Sequence, residues 1–175
     1  MRLLCLIVLL LAPGCTGGYA SGPSAVLKAV PYIGKNEQSD RQELIDFLNV
    51  DPVNTEWCAA FVNSVLEESN IPSNKDHKYS LMARSFLEWG LPVAPEDIQP
   101  GDIVVFPRGD NQWQGHVGFY VKTVKFNDIV YYSILGGNQS NRVSIELYKQ
   151  SNALGIRRSI DTDKYTTQEE QTNGR

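Results

Sequence analysis

Three short strings carry the residues able to do chemistry: Thr55-Glu56-Trp57-Cys58-Ala59-Ala60-Phe61, then Gly115-His116-Val117-Gly118-Phe119-Tyr120, then Gly136-Gly137-Asn138-Gln139. A thiol, an imidazole and an amide in this order supply a nucleophile, a base and a group that orients the base. Cys58, Phe61, Val62, Val65 and Leu66 recur at helical spacing and predict a buried helix over residues 56–69, with Asn54 or Thr55 as N-cap. The thiol then sits in the first turn, at the positive end of the helix dipole. Such a site, together with an imidazolium, can lower a thiol pKa to roughly 3.5–7.5. The backbone N–H of Cys58 is one expected donor to a tetrahedral oxyanion; the second donor is left open. Gln139 is a candidate for that donor or for a substrate contact, against the plainer reading of an exposed loop residue. Trp57, beside the nucleophile, is a further candidate substrate contact.

Around these strings the pattern changes from helical to extended. A helix is expected to open at Ser39 or Asp40, with Gln42 or Glu43 closing a capping box and Leu44, Ile45, Phe47 and Leu48 as its apolar face. A third is expected over residues 80–89, ended by Gly90 and Pro92. From Pro100 onward short β-rich runs at 103–106, 116–124, 129–135, 143–148 and 154–157 alternate with turn residues. Connections this short favour antiparallel pairing, so the fold class is α+β, with N-terminal helices packed on a small antiparallel sheet. Period-two alternation places His116 with Gly118 and Tyr120, and Asn138 with Gly136 and Ile134. Glycines beside both polar residues point to a cleft where a ligand or backbone approaches closely, against the plainer reading of a bulge or a barrel bend. His77, in Asn74-Lys75-Asp76-His77-Lys78, reads as part of a solvated loop.

The ends speak to location. Met1-Arg2 and the apolar run 3–12 are too short to span a bilayer and lead into Pro13-Gly14-Cys15-Thr16, a signal-like start. The surroundings of Cys15 resemble a lipoprotein signal, which implies acylation of Cys15 and attachment to a membrane; a plain secretory signal is the alternative. Segments are expected at 1–14 (signal), 15–30 (lipidated terminus and tether), 31–158 (folded domain) and 159–175 (disordered tail). Cys58 is then the one thiol of the folded body, unusual for an exported chain that would otherwise pair its cysteines. A net charge of −4 over 175 residues, with no Lys/Arg cluster, argues against nucleic acid. No His-Glu-x-x-His or paired Cys-x-x-Cys marks a metal site, and no cofactor is expected.

Taken together with Ala83-Arg84-Ser85-Phe86, Pro100-Gly101-Asp102-Ile103 and Leu135-Gly136-Gly137-Asn138, the three strings resemble the small NlpC-like and CHAP-like cell-wall hydrolases of bacteria and phages. The resemblance covers residues 31–158. It implies a papain-like cysteine peptidase fold, peptidoglycan as partner, cleavage of its amide bonds, and Cys58, His116 and Asn138 as nucleophile, base and third residue. A monomer in the cell envelope is expected. Many CHAP domains carry Glu two residues before the Asn, where this chain has Gly136, so the group that orients His116 is left in question. The alternative from another class is a non-catalytic, lipid-anchored wall-binding or assembly module on the same fold.

Overall fold

A computed structural model describes residues 22–160. The expected signal, Cys5, Cys15 and most of the expected tail lie outside the described residues. Three α-helices come first: α1 Gly22–Ala29, α2 Arg41–Leu48 and α3 Cys58–Glu68. Six strands follow: β1 Leu91–Pro92, β2 Ile103–Pro107, β3 Gly115–Phe126, β4 Ile129–Gln139, β5 Arg142–Lys149 and β6 Gly155–Arg158. They form one antiparallel sheet in the order β1-β6-β2-β3-β4-β5. The fold is α+β, as expected.

The helices cover one face of the sheet. Phe61, Val62 and Val65 of α3 pack with Ile103, Val105, Val117, Phe119 and Leu135, while Val104, Phe106, Tyr120, Tyr132, Ile134 and Ile156 form a smaller core on the other face. Alternation along β2 and β3 thus divides the side chains as a period of two requires.

Four expectations need correction. The span 22–29, read as tether, is helical, and Ala25 and Ala29 are buried in the main core. Small residues hid this face, because alanines add little to an amphipathic pattern. The helix expected at 80–89 is a 3₁₀ turn at Ala83–Glu88. The capping box at Asp40 does not form: its carboxylate turns back to the N–H of Asn36 and the hydroxyl of Ser39. Likewise α3 starts at Cys58 with Trp57 as N-cap and no side-chain cap, so neither Asn54 nor Thr55 serves.

One ion pair ties the end of β6 to the residue that precedes β2. Arg158 donates from Nε and Nη2 to the two carboxylate oxygens of Asp102 at 2.7 and 2.8 Å, and the N–H of Gln99 adds a third bond at 2.7 Å. Asp102 is only 1% exposed. Arg158→Ala would strand this buried carboxylate, so the expected loss is about 3–5 kcal/mol of unfolding free energy, read from urea titration. A loss below about 1 kcal/mol would mean that solvent already screens the pair.

Candidate active site

The helix start delivers the Cys58 thiol, and the strand β3 delivers the His116 imidazole. Tyr120 exchanges backbone hydrogen bonds with Gly101 and Asp102, on the β2 side. Odd-numbered residues at this end of β3 therefore turn their N–H groups toward β4. Pairing with β4 begins only at Phe119–Leu135, which leaves the N–H of Val117 without a strand partner. It donates to the Cys58 thiol. The sulfur is thereby held against the residue that follows His116. Among the described residues the N–H of Cys58 itself donates to nothing, so the expected oxyanion donor is unspent.

His116 is buried and held by two neighbours. Tyr148 of β5 stacks on its ring at 5.3 Å between centroids, with Phe106 stacked on Tyr148 in turn. Its Nε2 lies 3.0 Å from Gln139 Oε1. The tautomer follows from what surrounds that amide. Gln139 Nε2 donates to the carbonyl of Ser144 at 2.7 Å, and carbonyls accept only, so the amide oxygen must face the imidazole. The Tyr148 hydroxyl also donates to Oε1, at 3.1 Å. His116 Nε2 must then carry the proton and Nδ1 the lone pair. Among the described residues His116 Nδ1 is buried with no hydrogen-bond partner. A buried, unpaired acceptor is costly to keep, and basic nitrogens are kept so where they receive a proton.

Asn138 does not meet this imidazole. Its Nδ2 donates to Glu56 Oε2 at 2.7 Å. The β4–β5 register shifts between Gly136 and Gln139, and Asn138 has φ 55°, in the left-handed region. Such a bulge adds a residue and breaks strict alternation, so Gln139 returns to the face that a period of two assigned to Asn138. Gly136 makes room for it. A Cβ on Gly136 would stand 3.2 Å from His116 Nε2 and 3.4 Å from the Gln139 amide. The place a longer residue at 136 would occupy is filled by an amide reaching back from 139. Gln139 is accordingly neither an exposed loop residue nor a free oxyanion donor.

Trp57 is also relocated. It is fully buried, bonds through Nε1 to Glu37 Oε2 at 3.1 Å, and lies under Gly137, whose added Cβ would meet its ring at 2.5 Å. It supports the turn that carries Asn138 and Gln139 and cannot touch substrate. The residues 34–37 brace the same turn, through Gly34 N–H to Val143 O at 2.8 Å and Glu37 N–H to Asn141 O at 3.0 Å. His77, in its loop, lies 3.3 Å from Glu88 and remote from this site.

An open cleft of about 350 Å³ reaches Cys58, walled by Leu81, Met82, Trp113, Glu56 and Arg108. Trp113 is 60% exposed, and it is the aromatic residue presented to a ligand in this cleft. Its signal in the sequence was a tryptophan in the polar loop Asn111-Gln112-Trp113-Gln114, just before the histidine strand. Met82, just before the 3₁₀ turn, is half-buried and lines the same cleft. Among the described residues no cluster of His, Cys, Asp or Glu converges as a metal site.

Residues 50–138 match the CHAP domain, a span that holds α3, Cys58 and His116. The chain belongs to the CHAP family. No curated protein matches it. CHAP domains are in general hydrolases of peptidoglycan amide bonds, which sets the substrate class, and the papain-like α+β fold agrees with the architecture above.

Electrostatics show how this CHAP site rests. Burial pushes the Cys58 thiol pKa up, opposed by the N–H of Val117 and the charge of Arg108. Burial also lowers His116 to about 4, helped by Arg108 and opposed by the Gln139 bond. At neutral pH both groups are uncharged, contrary to the lowered thiol expected from the helix dipole; desolvation outweighs that dipole. Alkylation of Cys58 by iodoacetamide should therefore rise about tenfold per pH unit from 6 to 8, as the thiolate fraction grows. A rate independent of pH down to 5 would instead show a preformed thiolate–imidazolium pair.

Proposed function

We propose that this domain cleaves an amide bond of peptidoglycan, as an endopeptidase or amidase, with Cys58 as nucleophile, His116 as base and Gln139 as the positioning residue. The carrying observation is the unpaired, buried Nδ1 of His116, whose opposite nitrogen is tied to Gln139 Oε1. As substrate enters, Nδ1 takes the thiol proton while Sγ attacks the scissile carbonyl carbon. The resulting oxyanion is received by the N–H of Cys58 at the helix start. The imidazolium, stabilised through Nε2–H by Gln139, gives its proton to the departing amine, and a thioester remains on Cys58. Water, deprotonated by Nδ1, hydrolyses the thioester and restores the thiol.

A wall-binding module on this fold would gain nothing from a buried free thiol and a buried imidazole held in one tautomer. The apolar run before Cys15 supports export, with acylated Cys15 as the proposed anchor that keeps the enzyme at a membrane facing the wall.

Purified sacculi test the assignment of roles. Cys58→Ala and His116→Ala should abolish release of soluble fragments. Gln139→Ala should lower kcat roughly a hundredfold, the scale of a general-base contribution, while Asn138→Ala stays within a few-fold of wild type. Full activity in Gln139→Ala, or loss in Asn138→Ala matching that of His116→Ala, would contradict the positioning role.

A further inference from the structure

Glu56 and Arg108 face the cleft above Cys58 with bonding capacity to spare. Their closest approach, Arg108 Nη1 to Glu56 Oε2, is 3.8 Å, too long for a hydrogen bond. Among the described residues Arg108 donates no hydrogen bond at all. Glu56 uses one oxygen, Oε2, to accept from Asn138 Nδ2, and leaves Oε1 free. Both are accessible: the Glu56 side chain is 80% exposed and that of Arg108 40%. Glu56 also lines a second, polar recess of about 280 Å³ with Glu37, Asn54 and Asn138. Glu56 thus lines both recesses, and Arg108 lines the one that reaches Cys58.

The charges select what can sit there. A lone carboxylate would be drawn to Arg108 and repelled by Glu56 a few ångströms away, and a lone ammonium would meet the reverse. A group carrying both charges on one carbon satisfies both partners, and its net neutrality matches that of the pair. The planar fork of Arg108 suits the carboxylate, which can take two parallel N–H bonds. The free oxygen of Glu56 suits the ammonium.

We propose that Glu56 and Arg108 form a subsite for an α-amino-acid zwitterion, such as the free end of a diamino-acid side chain in the peptide being cleaved. The subsite rests on the hydrolase reading above and adds to it a selectivity for stem peptides whose side-chain amine and carboxylate are both unblocked. Trp113, Leu81 and Met82 would line the apolar stem that carries the zwitterion into the cleft.

The test separates binding from turnover. Titration calorimetry on the full chain carrying Cys58→Ala would compare three synthetic stem peptides: one ending in a diamino acid with free amine and carboxylate, one N-acetylated there, and one amidated there. The free form should bind at least tenfold more tightly than either blocked form. Adding Glu56→Gln, which can still accept from Asn138, should erase the gap between free and acetylated peptides. Adding Arg108→Gln should erase the gap between free and amidated ones. Equal affinity for all three peptides, or unchanged discrimination in both variants, would overturn the subsite. Cleavage by wild type is scored separately. Discriminating affinity with no release of soluble fragments from sacculi by wild type would contradict the hydrolase assignment and uphold the subsite, whereas indiscriminate affinity with such release would do the opposite.

Discussion

The hydrogen bond between His116 Nε2 and Gln139 Oε1 is the constraint on which the site depends. An imidazole free to exchange tautomers would offer a lone pair from either nitrogen, and only one of them can serve the thiol. Gln139 removes that choice because its own amide has none: the carbonyl of Ser144 demands the NH₂ end, and the Tyr148 hydroxyl adds a donor to the oxygen. The backbone of β5 thus dictates, through one amide, which face of His116 is basic. Tyr148 extends this control by stacking on the ring whose partner it also bonds.

Much of the rest of the domain can be understood as support for that bond. Gln139 sits at the end of β4 beyond a bulge, a place where backbone freedom would blur its position. Trp57 beneath Gly137, Glu37 on the Trp57 indole, and the 34–37 segment bonded across to residues 141 and 143 hold the turn from outside. On the other side Arg84 Nε donates to the carbonyl of Gln114 at 2.7 Å and fixes the approach to β3. The helix brings the thiol, and the missing β4 pairing at Val117 gives it an N–H to rest on. Burial pushes the Cys58 thiol pKa up and that of His116 down, so both groups favour their neutral forms at neutral pH.

The sequence made the α+β order, the strand positions and the place of Cys58 at a helix start readable, because these follow from periodicity and from large apolar residues. It pointed to His116 through its strand and its glycine neighbours. What it concealed depends on breaks in periodicity. A period of two assigned the inward face to Asn138, and one residue in the left-handed region moved it to Gln139. The string Asn138-Gln139-Ser140-Asn141 contained the warning, since Asn and Ser favour turns and tolerate positive φ. Trp57 turned inward for another reason: adjacency to a thiol in sequence does not set exposure, and the residue at a helix N-cap can point into the core. The buried alanines of α1 left no hydrophobic signature to read.

The proton on His116 tests this account most directly. Long-range ¹H–¹⁵N correlation spectra of the folded protein at pH 7 distinguish a protonated from an unprotonated ring nitrogen. The account predicts a neutral ring with the proton on Nε2 and a bare Nδ1, and loss of that single tautomer in Gln139→Ala. A proton on Nδ1 alone, or a doubly protonated ring at pH 7, would contradict it.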